Sequence, residues 1–379
     1  MSRRSELTID LGALRRNVAR MREAAAPAEL WAVVKADAYG HGLIDVARAA
    51  LEAGAGALCV VTAREGEALR RSFADARILV MAPLATGEEA IARSAQLEVA
   101  LSSPAAPEGL ALHLKVDTGM GRWGMSVEEA ATVPRERVVG LMSHLATADE
   151  DDSTYAREQI ARFAEVARRF DGVPAHLANS AATLAYPEAR FAAVRCGVAL
   201  YGLSPFGDDP ANHGLEPVLS WRSYVAVAKT VAAGGSVGYG RRFVAVHPTR
   251  VGIVPVGYAD GFRRGLMGTQ VVVGGSRRHV VGAVSMDALV VELDEEEEGA
   301  PVTLIGDGVL AEEHARHLGT INYEITTAIR SDPLRADRKV VDGLAHPHRG
   351  GRRRGLRGGR CRPGRAPRPP GGGHRRRHA

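Results

Sequence analysis

Four lysines stand out in this sequence because arginine supplies nearly all of its basic side chains. The chain has 45 arginines, and its only lysines are Lys35, Lys115, Lys229 and Lys339. Arginine keeps its proton in proteins, whereas a lysine removed from water can lose its proton and act as a nucleophile or a base. Lys35 lies near the end of the predicted strand Leu30–Asp37, where barrel enzymes place their chemistry. Lys35 is therefore the first candidate for a covalent or proton-transfer role, with a surface lysine as the alternative.

Eight short apolar runs between residues 30 and 202 alternate with amphipathic stretches. Most of the runs are continuously apolar, which is typical of parallel strands covered on both faces. Helical patterns such as Leu43–Ala53 and Tyr155–Phe170 fill most of the intervals. Eight such units predict an α/β fold with a (β/α)8 TIM-type barrel. The predicted strands are Leu30–Asp37, Ala57–Ala63, Ala76–Pro83, Leu97–Ser103, Ala111–Thr118, Val138–Ala146, Pro174–Ser180 and Phe191–Gly202.

One connection in this predicted barrel is short. Only seven residues separate the predicted strands Leu97–Ser103 and Ala111–Thr118. A parallel crossover needs about ten to twelve residues. Either one outer helix is missing, or the strand at residues 97–103 is misread.

The composition and the spacing of the apolar runs change after about residue 216, which predicts a second domain. Short runs rich in Val, Gly and Tyr follow one another closely, which indicates β structure, with one helix near Ala311–Leu318. These runs are Tyr224–Val231, Val251–Val256, Gln270–Val273, His279–Val284, Ala288–Leu293 and Pro301–Ile305. We predict an N-terminal strand at residues 1–9 that packs on the C-terminal domain. A barrel at 10–215, a mostly β C-terminal domain at 216–345 and a disordered tail at 346–379 complete the prediction.

The net charge of +5 comes from the tail, which carries twelve arginines and no acidic residue. Without the tail, 37 basic residues face 44 acidic ones, so the folded body is acidic. A tail rich in Arg, Gly and Pro cannot bury a core. Nonspecific binding of nucleic acid through the tail is one reading. A read-through or out-of-frame extension in a gene of high GC content is the reading we prefer, since arginine outnumbers lysine 45 to 4, and we expect no specific nucleic-acid partner.

The composition, with 45% apolar and 25% charged residues, is that of a globular protein. No apolar run is long enough for a membrane span, and the N-terminus lacks the apolar core of a signal peptide. The three cysteines (Cys59, Cys196 and Cys361) fit no metal site and favour a reducing compartment. We therefore expect a cytoplasmic protein without membrane or metal.

The segment around Lys35 resembles a known signature. Val34–Gly42 (VKADAYGHG) is similar to the cofactor-lysine segment of alanine racemases, which use pyridoxal 5′-phosphate. Further segments resemble the same family in the same order and extend over most of residues 5–330. They are Leu114–Gly124, Ser143–Asp149, His176–Ala182, Val194–Gly202, Ser236–Gly240, Gly257–Gly261, Ser285–Asp287 and Gly319–Glu324. The resemblance implies interconversion of L-alanine and D-alanine, which supplies D-alanine for peptidoglycan.

The resemblance also implies which residues hold the cofactor. Lys35 would bind it covalently, and Tyr39 would contact its phosphate. Barrels often bind phosphate after the seventh and eighth strands, so we assign Ser180 and the amides of Gly197 and Val198 to this group. Tyr323 matches the tyrosine that completes the phosphate site in the family.

Arg195 is the residue most diagnostic of reaction type. In the resembling family an arginine faces the pyridine nitrogen, where a permanent cation disfavours protonation of that nitrogen. This weakens the ring as an electron sink and suits racemisation, whereas related decarboxylases place an acidic residue there. His144 matches the histidine behind this arginine, and a hydrogen-bonded core histidine is the plain alternative.

Racemisation needs a base on each face of the substrate. Lys35 would serve one face, and Tyr239 matches the opposite base of the family. In that family the tyrosine comes from the partner subunit of a head-to-tail dimer, so the resemblance implies a homodimer with shared active sites. From the residues alone, a packed tyrosine would be the simpler reading.

The remaining assignments concern the substrate, alanine. Arg122 and the amide of Met286 match the groups that bind the substrate carboxylate, and Tyr258 would line the entrance. Lys115 matches a lysine that many relatives carbamylate, which would turn it into an anion that braces Arg122.

Two departures leave alternatives open. The short Ser103–Ala111 link differs from the family, and Ala283 replaces an entrance residue that is usually arginine. A broad-specificity racemase and a decarboxylase of the same fold type remain alternatives, although Arg195 argues against the decarboxylase. A pyridoxal-phosphate carrier without turnover is a third, although such carriers are lone barrels.

Overall fold

The computed structural model describes residues 4–343, and its first regular element is strand β1 (Glu6–Asp10). Helix α1 (Leu11–Ala25) follows directly, because the Asp10 carboxylate accepts the backbone N–H of Ala13 at 3.1 Å and caps the helix. Apolar side chains three or four residues apart place one face of α1 in the core. That face includes Leu14, Val18 and Met21.

Eight parallel strands close into a barrel, which confirms the predicted fold class. The strands are β2 (Glu29–Val33), β3 (Ala57–Val60), β4 (Ile78–Val80), β5 (Glu98–Leu101), β6 (Ala111–Lys115), β7 (Val138–Met142), β8 (Ala175–His176) and β9 (Ala193–Cys196). Strand β9 pairs with β2 and closes the ring. Each predicted run overlaps one strand and extends past its end into the segment that follows.

Helices surround most of this barrel. They are the short turn α2 (Lys35–Gly40), α3 (Leu43–Glu52), α4 (Ala63–Ser72), α5 (Glu88–Ser94), α6 (Val127–Ala131), α7 (Thr154–Arg169) and α8 (Ser180–Ala185). None of the helices described between residues 4 and 343 has the length and apolar character needed to cross a membrane.

The short link after β5 lacks an outer helix. Strand β5 is present and pairs in parallel with β6 from Glu98 to Leu101, so the alternative of a misread strand is wrong. The chain returns between the two strands without regular structure. Arg137 stabilises this return, because its guanidinium donates to the carbonyls of Pro107 and Leu110. The barrel therefore closes despite the missing helix.

The C-terminal half is mostly β structure. Its strands are β10 (Leu219–Tyr224), β11 (Val227–Val231), β12 (Ser236–Val237), β13 (Phe243–Val244), β14 (Thr249–Val254), β15 (Gln270–Val273), β16 (Ser276–His279), β17 (Leu289–Glu292), β18 (Pro301–Ile305) and β19 (Asp337–Val341), with helices α9 (Ala311–Leu318) and α10 (Asn322–Thr327). Strand β1 lies between β10 and β19 in a six-stranded sheet. The predicted domain bounds stay predictions, and the predicted tail at 346–379 lies outside the described residues.

Two predicted runs differ from the structure. The run Tyr224–Val231 is broken, because β10 ends at Tyr224 and β11 begins at Val227 in another sheet. The run His279–Val284 continues as a loop after β16. Gly282 has a φ of +69°, and a Cβ there would lie 2.7 Å from the carbonyl oxygen of Val237. With this φ, the chain leaves the extended conformation at Gly282.

The turn α2, which begins at Lys35, is left-handed. Residues 36–39 have φ between 51° and 56°, at a cost of about 1–2 kcal/mol for each non-glycine residue. Three side chains hold the turn. The Glu65 carboxylate accepts the N–H of Ala36 at 2.7 Å, the Asp37 carboxylate accepts the N–H of Leu43 at 2.7 Å, and the His41 ring contacts carbonyls of the turn. Strain of this kind persists only where the surroundings fix it.

Gly40 provides a test of how firmly the turn is fixed. Its φ is +83°, and an added Cβ would lie 2.7 Å from the carbonyl oxygen of Thr326, whereas Gly87 (φ +86°) has no atom within 4 Å of such a Cβ. We expect Gly87→Ala to lower the free energy of unfolding by about 1–2 kcal/mol and Gly40→Ala by about 2–5 kcal/mol. Chemical denaturation of both variants measures the difference. Equal losses would contradict a tight contact with Thr326.

Candidate active site

A cavity of about 370 Å³ lies at the C-terminal ends of the barrel strands. Apolar residues, among them Val33, Val61, Met81 and Met142, line part of it. The structure brings together nine of the twelve residues predicted for the site. The nine are Lys35, Tyr39, Arg122, His144, Ser180, Arg195, Gly197, Val198 and Tyr323.

Lys35 enters the cavity two residues after the end of β2. Burial lowers the pKa of its amine, and the positive charge of Arg122 lowers it further. A lowered pKa increases the neutral fraction of the amine, which is the form that reacts as a nucleophile or accepts a proton. The position is therefore suited to the role predicted for Lys35.

The lining of this cavity is strongly positive. It contains Lys35, Lys115, Arg122 and Arg195, and no aspartate or glutamate is among the described residues that line it. Burial and the neighbouring cations lower the pKa of Lys115 to about 7 and that of His144 to about 3. A cavity with this charge is suited to a ligand with several anionic groups.

Arg195 is buried, and both of its terminal nitrogens make hydrogen bonds. One of its terminal nitrogens donates to Nδ1 and to the carbonyl of His176 at 2.7 and 2.8 Å. The other donates to the carbonyls of Ser143 and Leu177 at 2.7 and 3.1 Å, with His144 Nδ1 at 3.5 Å. Burial lowers the pKa of Arg195 only to about 10, so the side chain remains a fixed cation at neutral pH.

A chain of hydrogen bonds inside the barrel supports Arg195. Because His176 Nδ1 accepts from Arg195, its Nε2 carries the hydrogen and donates to His113 Nδ1 at 2.8 Å. His113 Nε2 then donates to the Glu98 carboxylate at 2.7 Å, and Arg77 donates to the same carboxylate. Burial lowers the pKa of both histidines, which keeps them neutral and preserves this direction.

The sequence analysis missed this chain. The available signal was period-two alternation, because His113 and Lys115 occupy the same face of β6 and both point into the barrel. The pairing of His113 with His176 joins strands β6 and β8, which are not neighbours in the sheet. Periodicity along one strand cannot reveal such a contact.

The residues predicted for a phosphate form one wall of the cavity. The Ser180 hydroxyl accepts the N–H of Gly197 at 3.0 Å and that of Ala199 at 3.4 Å. A Cβ on Gly197 would approach the Tyr39 hydroxyl to 2.7 Å, so this backbone must be glycine to bring the phenol so close. Burial raises the pKa of Tyr39 and of Tyr323, so both remain hydrogen-bond donors.

Trp123 is a second feature that the sequence analysis missed. Its ring lies between two cations of the lining, 5.0 Å from Lys115 Nζ and 5.1 Å from Arg122 Cζ. Both contacts are cation–π interactions, which favour these positions. The tryptophan follows Arg122 directly in a segment already recognised, but the sequence did not indicate where the ring points.

Three predicted residues lie outside the cavity. Tyr239, Met286 and Tyr258 are 73%, 53% and 42% exposed. Tyr258 and Met286 lie on adjacent loops, since the amides of Tyr258 and Ala259 donate to the carbonyls of Ser285 and Met286. Ala283 packs beside Gly238, which precedes Tyr239, so the three exposed side chains belong to one loop region.

Comparisons with known proteins agree with this architecture. The family model for the alanine racemase N-terminal domain matches residues 9–205, and that for the C-terminal domain matches residues 218–337. The chain is 41% identical to an alanine racemase of Beutenbergia cavernae over 85% of its own length and 94% of the relative. It is 39% identical to alanine racemase 1 of Bacillus subtilis over 85% and 90%.

Solved structures show the same similarity. Alanine racemase from the D-cycloserine producer Streptomyces lavendulae superposes with a TM-score of 0.83 at 36% identity, covering 92% of this chain and all of that chain. Alanine racemase from Bartonella henselae with covalently bound pyridoxal phosphate gives a TM-score of 0.82 at 27% identity, covering 89% and 99%.

The lowered pKa of Lys115 predicts how carbamylation of this lysine depends on pH. An amine must be neutral to add to carbon dioxide, so carbamate on Lys115 should increase as the pH rises through about 7. Carbon-13 NMR with labelled bicarbonate should show one carbamate signal at pH 8 that weakens towards pH 6. Lys115→Arg should remove the signal, and Lys229→Arg, at an exposed lysine, should retain it. A signal that survives Lys115→Arg would contradict the assignment.

Proposed function

This chain belongs to the alanine racemase family, and from that membership we infer that it interconverts L-alanine and D-alanine with pyridoxal 5′-phosphate. The single observation in the structure that carries the proposal is the set of groups around the cavity. A lysine with a lowered pKa, the buried guanidinium of Arg195 and the hydroxyls of Tyr39 and Ser180 line it together. The product D-alanine serves peptidoglycan synthesis, as is general for the family.

The residues present fit the cofactor. Its phosphate requires donors and positive charge, which the hydroxyls of Ser180 and Tyr39 provide beside a cationic lining, whereas the N–H of Gly197 is donated to Ser180 in the single chain. Its aldehyde requires an amine that can lose its proton, and Lys35 has a lowered pKa. When an amino acid is attached to it, the cofactor withdraws electrons from Cα and makes the Cα proton removable.

Arg195 would face the ring nitrogen of the cofactor. Its charge persists at neutral pH, and its five hydrogen bonds to the barrel fix its position. A permanent cation at this point disfavours a proton on the ring nitrogen. The residue therefore limits the acidity gained at Cα, which suits racemisation and argues against a decarboxylase.

Lys35 and Tyr239 are the two proposed bases. Lys35 Nζ would hold the proton taken from or given to one face of Cα, because its lowered pKa makes the neutral amine accessible. Tyr239 would serve the other face through its hydroxyl. In a single chain Tyr239 is exposed and away from the cavity, so a second copy must supply it.

A homodimer is therefore part of the proposal. Tyr239, Tyr258 and Met286 lie in one loop region and leave apolar side chains exposed, as expected for a surface that a second copy covers. In this arrangement Arg122 of one chain and the amide of Met286 from the other would bind the substrate carboxylate. Tyr323 and Tyr258 would limit the side chain to a small size.

Compartment and substrate range complete the proposal. Cys59 and Cys196 are buried free thiols, which is consistent with a reducing cytoplasm. Ala283 leaves the entrance without the arginine usual in the family, so the alternative of a broader racemase deserves a direct comparison. Steady-state kinetics on alanine, serine and lysine distinguish the two readings, since alanine should have by far the highest kcat/KM.

The assay of the purified protein tests the function itself. It should be yellow and convert L-alanine to D-alanine and the reverse. Lys35→Ala should remove the colour and lower kcat by at least about a thousandfold, because both attachment and one base are lost. Lys229→Ala, at an exposed lysine, should retain both. A colourless wild-type protein would contradict the cofactor, and a yellow protein without turnover would favour the carrier.

Mixed dimers test whether the active sites are shared. Lys35→Ala and Tyr239→Phe should each be inactive alone. Half of the dimers formed on mixing carry both chains, and each of these has one intact site, so activity should return to about one quarter of the wild-type value. Mixtures that stay inactive would contradict a site built from two chains.

A further inference from the structure

A second, much smaller cavity lies on the other side of the left-handed turn α2. Its volume is about 10 Å³, which is the space that one water molecule occupies. It lies between α2 and the helices α9 and α10. Most of its lining is apolar, including Leu203, Leu219 and Ile305, and its polar side chains include His41, Glu312 and Thr326.

Two polar atoms at this cavity have no partner among the described residues. They are Nε2 of His41, which is 0% exposed, and Oε2 of Glu312, which is 2% exposed. Buried polar atoms in proteins nearly always have a hydrogen-bond partner, from the protein or from ordered water. Two such atoms at one small cavity therefore point to a shared ligand.

The hydrogen bonds of His41 show what this ligand must offer. Nδ1 lies 3.0 Å from the carbonyl oxygens of both Ala38 and Tyr39, and since both are acceptors, Nδ1 carries the hydrogen. Burial lowers the pKa of His41 to about 4, so the ring is neutral near pH 7. Nε2 is therefore an acceptor that needs a donor.

Glu312 also presents an acceptor that needs a donor, from the opposite side of the cavity. Its Oε1 accepts the N–H of Ser204 at 3.0 Å and the amide of Asn322 at 2.9 Å. Burial raises the pKa of Glu312 and these two donors oppose that rise, and in the ionised carboxylate Oε2 is a second acceptor. A ligand between two acceptors must donate two hydrogens. The buried Thr326 hydroxyl donates to Tyr323 O over a long distance of 3.5 Å, so it can turn and donate to that ligand instead.

We propose that this cavity is the binding site of one structural water molecule. It donates one hydrogen to His41 Nε2 and the other to Glu312 Oε2, and it accepts a hydrogen from Thr326. Three hydrogen bonds are the usual number for a buried water.

The water positions the cofactor segment, and this consequence rests on the proposed function. By donating to Nε2, it keeps the hydrogen of His41 on Nδ1, where it holds the carbonyls at the end of the turn that begins with Lys35. Glu312 lies on α9, and α10 carries Tyr323 into the active site. The water therefore links the lysine side of the site to the tyrosine side, and His41 and Glu312 are positioning residues.

A high-resolution crystal structure of the yellow enzyme tests the site directly. We expect one peak of density within hydrogen-bond distance of His41 Nε2, Glu312 Oε2 and Thr326 Oγ1. An empty cavity, a direct His41–Glu312 contact or a metal ion at this point would overturn the proposal. This result does not depend on whether the enzyme racemises alanine.

A double-mutant cycle tests the positioning role. His41→Asn keeps a donor near the Nδ1 position but lacks Nε2. Glu312→Met removes the opposite acceptor at similar volume, together with the Oε1 bonds to Ser204 and Asn322. His41→Asn should raise the dissociation constant of the cofactor and lower kcat about tenfold, and Glu312→Met should do so by at least as much, with the KM for alanine within about twofold. The double variant should be no worse than Glu312→Met alone, because that variant has already lost the water. Additive losses would overturn the shared water.

Glu312→Gln is the conservative control. It keeps Oε1, and its amide can donate to the water, which can still donate to His41. Cofactor affinity and kcat should therefore stay within about twofold of the wild-type values. A loss as large as that of Glu312→Met would overturn the proposal. If Glu312→Met does not fold, the His41→Asn and Glu312→Gln variants and the density still decide it.

Discussion

Four positive charges in one cavity set the conditions on which the rest of this site depends. Lys35, Lys115, Arg122 and Arg195 repel one another, and the described lining contains no carboxylate to balance them. Burial lowers the pKa of both lysines and this repulsion lowers it further, whereas the guanidinium of Arg195 stays charged. The same positive charge favours a ligand with anionic groups. Burial and charge together therefore set both the reactivity of the amines and the kind of ligand that fits the cavity.

The barrel compensates the cost of burying Arg195. Burying a guanidinium without hydrogen-bond acceptors costs free energy. Backbone carbonyls of the barrel accept from Arg195, and so does the first member of the chain formed by His176, His113 and Glu98. Each donor in this chain points towards the Glu98 carboxylate, so the orientation of every member follows from its neighbour. The fixed cation therefore depends on residues from several strands, and a barrel is the architecture that brings them together.

The left-handed turn joins the barrel to the C-terminal helices. Its strained backbone begins at Lys35 and is held by Glu65, by His41 and by the close approach of Gly40 to Thr326. The proposed water adds a link to Glu312. The loops that carry Tyr239 and Met286 remain exposed in the single chain. The site thus depends on contacts between two halves of one chain and, in the proposed dimer, between two chains.

The sequence by itself determined the eight apolar runs of the barrel and the place of Lys35 near the end of the first of them, because hydrophobic pattern and spacing are local properties. The resemblance of its motifs to a known family supplied nine residues of the cavity. Only the tertiary structure decided that the Ser103–Ala111 link has no helix and that the strand before it is real. The contacts of His113 with His176, and of His41 and Glu312 with one cavity, also required it. The residues of such pairs lie far apart in the chain. The periodicity of one segment does not specify which residues of other segments will contact that segment.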